Sequence, residues 1–382
     1  MQCGWGVWGK ILAYLYWMIE ASVKLMAARR QETQHKHAAS RRFRPAWWLG
    51  NPHAQTIWAA TVRRAPDVEL EEEILDTPDG DFVQLHHLAS RPGQPRVVFI
   101  HGLSGSHRSP YILAMLAQLK VLGWNATVME LRSAGSRLNR LPRLYHGGQS
   151  DDLQHVMATL HGRSGGVEPL HVVGFSLGGN LAIKWLGEQG DAALAASVVA
   201  VSPPFDLAVS APTSDAALGG LYKRNFLRLL LPRVWQKIQQ HPGCLDPAAV
   251  RRVRSIVEFD DAVTAPLHGF SSGQHYYETA SCTHYIEQVR RPLLVMLGGD
   301  DPMIPATSVP RAVLETHPMI TAVLPPHGGH LGFLEGRLPW RPGFWAEDRA
   351  VEWLQAREGA TIELGGEKVG AGQKGAEAET IM

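Results

Sequence analysis

The sequence has few cysteines, no excess of either charge and no apolar run long enough to cross a bilayer. Its 382 residues include only three cysteines, Cys3, Cys244 and Cys282. Because the cysteines are odd in number and widely scattered, they argue against a disulfide framework and against a cysteine-rich metal site. They favour a reducing compartment such as the cytoplasm. The formal net charge is +1, so no global field favours nucleic acid as a partner.

What the chain does contain is an ordinary globular composition. Hydrophobic residues make up 45% and charged residues 19% of the sequence, which is enough apolar material for a large core. Length alone allows one large domain or two small ones. The last residues, 358–382, are rich in Gly, Ala, Glu and Lys without apolar periodicity, which predicts a disordered tail.

Within a leading segment, residues 1–40, positions 5–26 are aromatic and amphipathic. The longest uncharged stretch there, residues 11–19, is far shorter than the roughly 20 residues of a membrane-spanning helix. On a helical wheel the three charged residues of positions 5–26, Lys10, Glu20 and Lys24, share an arc of about 80°, opposite a mostly apolar face. With basic residues following, residues 5–26 predict peripheral contact with a membrane surface. Packing on the protein's own body and a signal or anchor segment are the alternatives.

From residue 82 onward, short β-type runs alternate with helical patterns. The predicted strands are residues 82–88, 96–100, 126–131, 170–174, 197–201, 293–297 and 322–324. The predicted helices are residues 110–122, 151–161, 177–189 and 309–315. This alternation predicts a mostly parallel sheet covered on both faces, in one α/β domain over residues 41–357. Ligand chemistry is expected at the carboxyl ends of such strands.

One connection breaks the alternation. Residues 203–290 separate two predicted strands, and a connection of this length must carry structure of its own. It contains an amphipathic basic stretch over residues 221–240. We expect a helical cap inserted over the carboxyl edge of the sheet, where it would shield a substrate from water.

A serine hydroxyl stands between glycines at the end of one buried strand. Residues 174–178 read Gly-Phe-Ser-Leu-Gly, directly before a helical pattern. In this setting Gly-x-Ser-x-Gly is typical of a nucleophile elbow, which exposes the hydroxyl and aims the helix amides at the same point. Ser176 is therefore the candidate nucleophile and the Leu177 amide a candidate oxyanion donor. A plain strand-to-helix turn is the alternative.

A serine nucleophile needs a base, and the base needs an acid to orient it; in this architecture the order is serine, acid, histidine. After a late apolar strand come Asp300 and Asp301, and the Asp-Pro-Met-Ile-Pro pattern favours Asp301, with Asp300 as the alternative. The last predicted strand is followed by His327 and His330. Two glycines before His330 give the loop room to bend, which favours His330 as the base.

The second oxyanion donor is expected from the loop after strand 96–100, which reads His-Gly-Leu-Ser-Gly from residue 101. In that loop the backbone amide of Leu103 would face the elbow. His146 and Asp151 have a spacing used by some acyltransferases, but with 18 histidines in the chain coincidence is the simpler explanation. The histidines at 53, 86 and 87 lack a later cluster of known ligand spacing, so we predict no metal and no cofactor.

Together these motifs resemble those of the YheT-like α/β-hydrolases, over about residues 40–355. The shared motifs lie at residues 43–45, 51–56, 101–105, 145–153, 174–180, 259–264, 269–270, 276–281, 300–302 and 327–333. The resemblance implies the α/β-hydrolase fold and a serine hydrolase of carboxylic esters with Ser176, Asp301 and His330 as the charge-relay residues. It also implies lipid-active relatives, some of them with an N-terminal membrane anchor.

The expected function is two-step hydrolysis of a small-molecule or lipid ester with a medium-length acyl chain. The first alternative is an acyltransferase that uses the same three residues and an alcohol in place of water. The second, from another class, is a non-catalytic protein that binds a lipid or a partner. The sequence leaves the oligomeric state open.

Overall fold

The centre of the molecule is an eight-stranded β-sheet, and the computed structural model describes residues 42–366. In chain order its strands are β1 (Glu71–Asp76), β2 (Phe82–His87), β3 (Arg96–Ile100), β4 (Asn125–Glu130), β5 (Leu170–Phe175), β6 (Ser197–Val201), β7 (Leu293–Met296) and β8 (Ile320–Val323). The spatial order is β1-β2-β4-β3-β5-β6-β7-β8. Both pairings of β2 are antiparallel and all others are parallel, which confirms the predicted mostly parallel sheet.

One strand, β1, escapes prediction from the sequence. Its sequence, EEEILD, is dominated by carboxylates, which apolar patterning does not identify as a strand. It lies at the edge of the sheet and pairs with β2 alone. An edge strand has one free side, where charged side chains reach solvent and discourage pairing with another chain.

Helices cover both faces of this sheet. Those outside the long connection are α1 (Pro52–Thr61), α2 (Pro110–Leu122), α3 (Ser150–Arg163), α4 (Leu177–Gln189), α10 (Arg311–Thr316) and α11 (Trp345–Gly366). Helices α3 and α4 pack together, as do α2 and α11. In β3, Val98 and Ile100 belong to the apolar cluster of α3 and α4, whereas Val97 and Phe99, pointing the other way, are equally buried. Burial on both faces explains why the central strands are almost continuously apolar.

The connection between β6 and β7 is helical, as predicted for the cap. Its helices are α5 (Leu207–Gln240), α6 (Pro247–Arg252), α7 (Ile256–Phe259), α8 (Ala265–His268) and α9 (Gly273–Ala280). The Asp206 carboxylate caps α5 by accepting hydrogen bonds from the amides of Ala208 and Val209. Helix α5 is interrupted at residues 217–220, which have non-helical backbone angles. The cap has an apolar cluster of its own, which Leu177 of the sheet domain joins.

Both ends of the described chain bear on the sequence predictions. Helix α11 continues to Gly366, so residues 358–366, the first part of the predicted disordered tail, are helical. The remainder of that tail and the predicted membrane-contacting segment, residues 5–26, lie outside the described residues. Among the helices of residues 42–366, none combines the length and apolar character needed to cross a membrane.

Candidate active site

Ser176 occupies a strained turn between β5 and α4. Its backbone angles, φ 51° and ψ −119°, lie in a region that residues with a side chain rarely adopt. A Cβ at Gly174 would lie 2.3 Å from the Gly178 carbonyl oxygen, and a Cβ at Gly178 would lie 2.4 Å from the Ile100 carbonyl oxygen. Both obstacles are backbone atoms, so the turn requires glycine at both positions. The geometry predicted from the Gly-x-Ser-x-Gly pattern is therefore present.

His330 lies between the Ser176 hydroxyl and the Asp301 carboxylate. Its Nε2 is 2.8 Å from Ser176 Oγ, and its Nδ1 is 2.9 Å from Asp301 Oδ2. A carboxylate can only accept, so Nδ1 carries a proton and Nε2 is the acceptor that faces the serine hydroxyl. The three side chains follow β5, β7 and β8 and meet at the carboxyl edge of the sheet.

The two adjacent aspartates contact different groups. Asp300 Oδ2 is 3.1 Å from Nδ1 of the exposed His327, and Asp300 Oδ1 accepts a hydrogen bond from the Gly329 amide at 3.0 Å. Asp300 therefore holds the loop that precedes His330, whereas Asp301 contacts the imidazole of His330 itself. The alternative base, His327, lies beside Asp300 and not beside the serine.

The side chain of Asp301 is fixed by its own loop. Its Oδ1 accepts hydrogen bonds from the amides of Met303 and Ile304, at 2.9 and 3.2 Å. Because Oδ1 is occupied in this way, Oδ2 is left to face His330. The two oxygens of one buried carboxylate thus have separate partners, which sets the orientation of the imidazole.

Helix α1, which the sequence reading did not predict, supports the loop of His330. Thr56 Oγ1 accepts a hydrogen bond from the His330 amide at 2.9 Å, and buried Gln55 accepts one from the Leu334 amide at 3.3 Å. Two residues in the sequence could have indicated the start of this helix: Asn51, whose side chain caps it, and the proline that follows Asn51. The segment Asn-Pro-His-Ala-Gln-Thr is therefore a structural support for the candidate base.

The loop after β3 packs against the elbow. A Cβ at Gly102 would lie 3.1 Å from the Cβ of Ser176. Buried His101 shapes the loop: its Nδ1 lies 2.8 Å from the Gly102 carbonyl oxygen, and its Nε2 accepts from the Leu131 amide at 3.1 Å. This pattern requires a neutral imidazole, and burial lowers the pKa of His101 accordingly.

Leu103 and Leu177, the predicted oxyanion donors, line the same cavity as Ser176 and His330. The amide next to Leu103, that of Ser104, donates to the Tyr145 hydroxyl at 2.7 Å, which steadies the loop. Within the described chain no hydrogen bond from the Leu103 or Leu177 amide to a protein acceptor is present. Both N–H groups are therefore free to donate to another oxygen.

A cavity of about 280 Å³ lies between the sheet edge and the cap. The serine and the imidazole line it, and most of the remaining wall is apolar. The apolar wall of the cap comprises Leu207, Ala211, Phe226, Leu229, Leu230, Ile256 and Phe259. An apolar cavity with a few convergent polar groups is typical of a small-molecule site.

One carboxyl group, Asp260, also lines this cavity. Its oxygens accept hydrogen bonds from the hydroxyls of Thr264 and Tyr277, at 2.6 and 2.7 Å. Burial raises the pKa of Asp260 to about 7, although these two hydrogen bonds act in the opposite direction. Near neutral pH the wall of the cavity therefore contains a carboxyl group that can lose its proton.

This raised pKa predicts pH-dependent stability. The folded state holds the Asp260 proton more tightly than the unfolded chain, so the stabilisation is complete below about pH 4 and is lost as pH rises through about 7. Relative to Asp260→Asn, the free energy of unfolding should fall by about 4 kcal/mol over that range. Urea unfolding of both proteins at a series of pH values measures this difference; parallel curves would contradict the prediction.

Two histidines considered in the sequence analysis, His146 and His53, contact neighbouring side chains of the protein. His146 is buried against the rings of His268, Phe270 and Tyr276, and burial lowers its pKa well below the usual range. Its predicted coincidental partner, Asp151, is exposed at the start of α3. Nδ1 of the other, His53, is 2.9 Å from the hydroxyl of Tyr222 in the cap.

Three described residues, His86, His107 and Glu130, lie close enough together to hold a metal ion. The rings of His86 and His107 are stacked, with centroids 3.7 Å apart and planes inclined by 20°. Imidazole lone pairs lie in the ring plane, so those of two stacked rings do not converge on one tetrahedral ion. Glu130 instead accepts from the amide and from Nδ1 of His107. We interpret the cluster as an anchor for the loop after β3.

Comparison with known proteins adds to this geometry. The profile of a protein family described as alpha/beta hydrolase fold matches residues 95–337. YheT of Escherichia coli (strain K12), named as a proposed esterase, is 33% identical over 325 residues, covering 84% of this chain and 95% of its own. The embryogenesis-associated protein EMB8 of Picea glauca is 26% identical over 339 residues, covering 85% of this chain and 74% of its own. Phospholipase ABHD3 of Mus musculus is 26% identical over 317 residues, covering 80% and 76%.

The family match contains the elbow, both candidate acids and the candidate base, because it runs from β3 to the residues after His330. It extends over more than half of the chain. The likeness to YheT spans nearly all of that protein. The sheet order, the elbow and these two matches agree: the chain belongs to the α/β-hydrolase-fold family and, within it, to the YheT-like proteins.

Proposed function

We propose that this protein is a serine hydrolase that cleaves carboxylic esters carrying an acyl chain. The observation that carries the proposal is the unbroken series of contacts from Ser176 through His330 to Asp301, beside two free amides and an apolar cavity. Relatives named as a proposed esterase and a phospholipase support the same chemistry.

In the first step Ser176 Oγ attacks the ester carbonyl carbon while Nε2 of His330 takes the hydroxyl proton. The Asp301 carboxylate holds the imidazole in the required tautomer and stabilises the imidazolium that forms. The carbonyl oxygen becomes an oxyanion, which the amides of Leu103 and Leu177 stabilise. One such donor is worth about 2.7–4 kcal/mol of the barrier. The bond between the carbonyl carbon and the alcohol oxygen then breaks, and His330 gives its proton to the departing alcohol. The acyl group remains bound to Ser176 as an acyl-enzyme.

In the second step water replaces the alcohol. His330 removes a proton from the water as it attacks the acyl carbon, and the same two amides stabilise the second oxyanion. The bond to Ser176 Oγ breaks, the serine recovers its proton from His330, and a carboxylic acid is released. The chemistry needs no cofactor, because the three side chains supply both proton transfers.

An acyl chain is the substrate feature that the cavity favours. Its cap wall is made of Leu, Ala, Phe and Ile side chains that line the same cavity as Ser176. Transfer of an apolar chain from water to such a wall is favourable by about 0.8 kcal/mol for each methylene group buried. A medium-length chain would fill the space and place the ester carbonyl at the serine.

Hydrolysis and acyl transfer differ only in the second nucleophile, so product analysis separates them. The purified protein is given a p-nitrophenyl acyl ester with and without added ethanol, and the products are identified by mass spectrometry. We expect the free acid to dominate in both cases. A dominant ethyl ester would replace hydrolysis by acyl transfer, and a lack of turnover together with a lack of fluorophosphonate labelling would favour a binding protein.

The position of Ala211 in the cavity wall predicts how a larger side chain there changes the preference for acyl-chain length. Ala211 lines the cavity from α5, so Ala211→Phe should lower kcat/KM for a medium-chain p-nitrophenyl ester, relative to the acetate, by on the order of tenfold or more. Ala216→Phe, at an exposed position of the same helix, is the matched control and should leave the ratio unchanged. An equal loss with both esters in Ala211→Phe would mean that the acyl chain lies elsewhere.

A further inference from the structure

Two segments far apart in sequence form a surface rich in exposed tryptophan and arginine. We call it the Trp–Arg surface, and it comprises Arg44, Trp47, Arg337, Leu338, Trp340 and Arg341. Trp47 is 78% exposed, Trp340 is 75% exposed and Leu338 is 42% exposed. Large apolar side chains exposed side by side mark an interaction site more often than isolated ones do.

The two segments are fastened to each other by hydrogen bonds. The Ala46 amide donates to the Leu334 carbonyl oxygen at 2.9 Å, and the Trp47 indole donates to the Arg337 carbonyl oxygen at 3.1 Å. Leu334 begins β9 (Leu334–Glu335), which pairs with β10 (Gly343–Phe344) in a hairpin. Trp340 lies in the turn of this hairpin, so both exposed indoles belong to one small unit.

Beneath the exposed side chains the support is tightly packed. The rings of Trp48 and Trp58 lie 5.8 Å apart, and those of Trp58 and Phe344 lie 6.3 Å apart. The guanidinium carbon of Arg63 lies 3.5 Å from the centre of the Phe344 ring, and Arg63 pairs with the buried carboxylate of Glu347. The Trp–Arg surface is thus presented by a fixed scaffold.

The charge of this surface has one sign. Its three arginines are exposed, and residues 44–50 and 336–344 contain no aspartate or glutamate. Indole rings prefer the headgroup level of a bilayer, and guanidinium groups bind phosphate through paired hydrogen bonds. Juxtaposed indoles and guanidinium groups therefore match the surface of a membrane that contains anionic phospholipids.

We infer that the Trp–Arg surface docks this protein on an anionic phospholipid bilayer. The inference does not depend on the proposed ester chemistry, but it has a geometric consequence for it. Strand β9 begins four residues after His330, and α1, which holds the His330 loop, begins four residues after Trp48. Docking at this surface brings the candidate base's loop close to the membrane from which a lipid ester would come.

Cosedimentation of the full chain with phosphatidylcholine vesicles, with and without phosphatidylglycerol, tests the inference. We expect binding to the anionic vesicles, and Arg337→Gln/Arg341→Gln should lower the partition coefficient about 30-fold, since each arginine near such a surface contributes about fivefold. Trp47→Ala/Trp340→Ala should lower it at least about tenfold. The matched control, Arg252→Gln/Arg311→Gln, removes the same charge from exposed sites elsewhere. Unchanged binding in both surface variants would overturn the inference.

A local probe separates this surface from other contacts of the full chain. Leu338→Cys, which keeps both tryptophans and all three arginines of the surface, is labelled with a polarity-sensitive fluorophore in a background with the natural cysteines replaced by serine, and Val121→Cys, at a position 84% exposed on α2, is the control. Anionic vesicles should shift the emission to the blue at position 338 and not at 121. No shift at 338 would overturn the inference, as would a shift that follows protein concentration without lipid, because that would assign the surface to a second copy.

Discussion

Ser176→Ala is expected to reduce kcat for p-nitrophenyl esters by on the order of 10⁶-fold while leaving the fold intact. The variant lacks the oxygen of the proposed nucleophile, and nothing else in the turn changes, because the strained backbone is set by the neighbouring glycines. Removing the hydroxyl takes away one hydrogen bond to His330, so the melting temperature should stay close to that of the parent. Stopped assays with purified protein measure the loss of turnover. Fluorophosphonate labelling measures the loss of the reactive hydroxyl in the same protein.

A second serine of the same cavity provides the control for this experiment. Ser210 lines the cavity and its hydroxyl has no hydrogen-bond partner within the described chain. Ser210→Ala should retain turnover and labelling within a few-fold of the parent. If Ser176→Ala kept the parent rate, the proposed nucleophile would be wrong; if both variants lost labelling equally, the probe would be reporting on the cavity and not on one hydroxyl.

Asp301→Asn is expected to lower kcat about 10⁴-fold. Oδ1 of Asp301 accepts from two backbone amides, and only the carbonyl oxygen of asparagine can take that place. The amide nitrogen is therefore turned toward His330 and donates to Nδ1. This moves the imidazole proton to Nε2, where it blocks removal of the Ser176 proton. The loop keeps its hydrogen bonds, so kcat should fall with little change in melting temperature.

The adjacent aspartate is the matched control for that substitution. Asp300→Asn removes one negative charge one residue away, but Asp300 contacts His327 and the Gly329 amide and not His330. We expect kcat within about tenfold of the parent. The two variants have the same composition and differ only in position, so a larger loss in Asp300→Asn than in Asp301→Asn would reverse the assignment of the acid.

Much of the fold was readable from local pattern, and the exceptions have identifiable causes. The central strands are buried on both faces and therefore appear as apolar runs, which local patterning detects within one or two residues. The edge strand β1 is acidic and half-exposed, so its place in the sheet depends on pairing with β2. Helix α1 has little apolar periodicity, and it is held by contacts to the His330 loop.

The candidate site likewise has one part that local sequence predicts and another that depends on distant contacts. A nucleophile elbow is a local object, because the glycines, the strand and the helix that form it are consecutive in sequence. The choice between Asp300 and Asp301, or between His327 and His330, is not local: neighbouring loop residues point in different directions according to backbone angles that distant contacts set. Even the supports of the loop, Thr56 and the backbone around it, lie about 270 residues from the histidine that they hold.

By itself, the sequence determined the sheet-and-helix alternation, the strained serine turn, the helical nature of the long connection and the family to which the chain belongs. Only the tertiary structure decided which carboxylate reaches the imidazole, which cap side chains line the cavity, and that two distant segments join in the Trp–Arg surface. The physical reason is the range of the forces involved: backbone propensity and apolar periodicity act over a few residues, whereas hydrogen-bond partners at the sheet edge are chosen only when the packed core brings separate loops together.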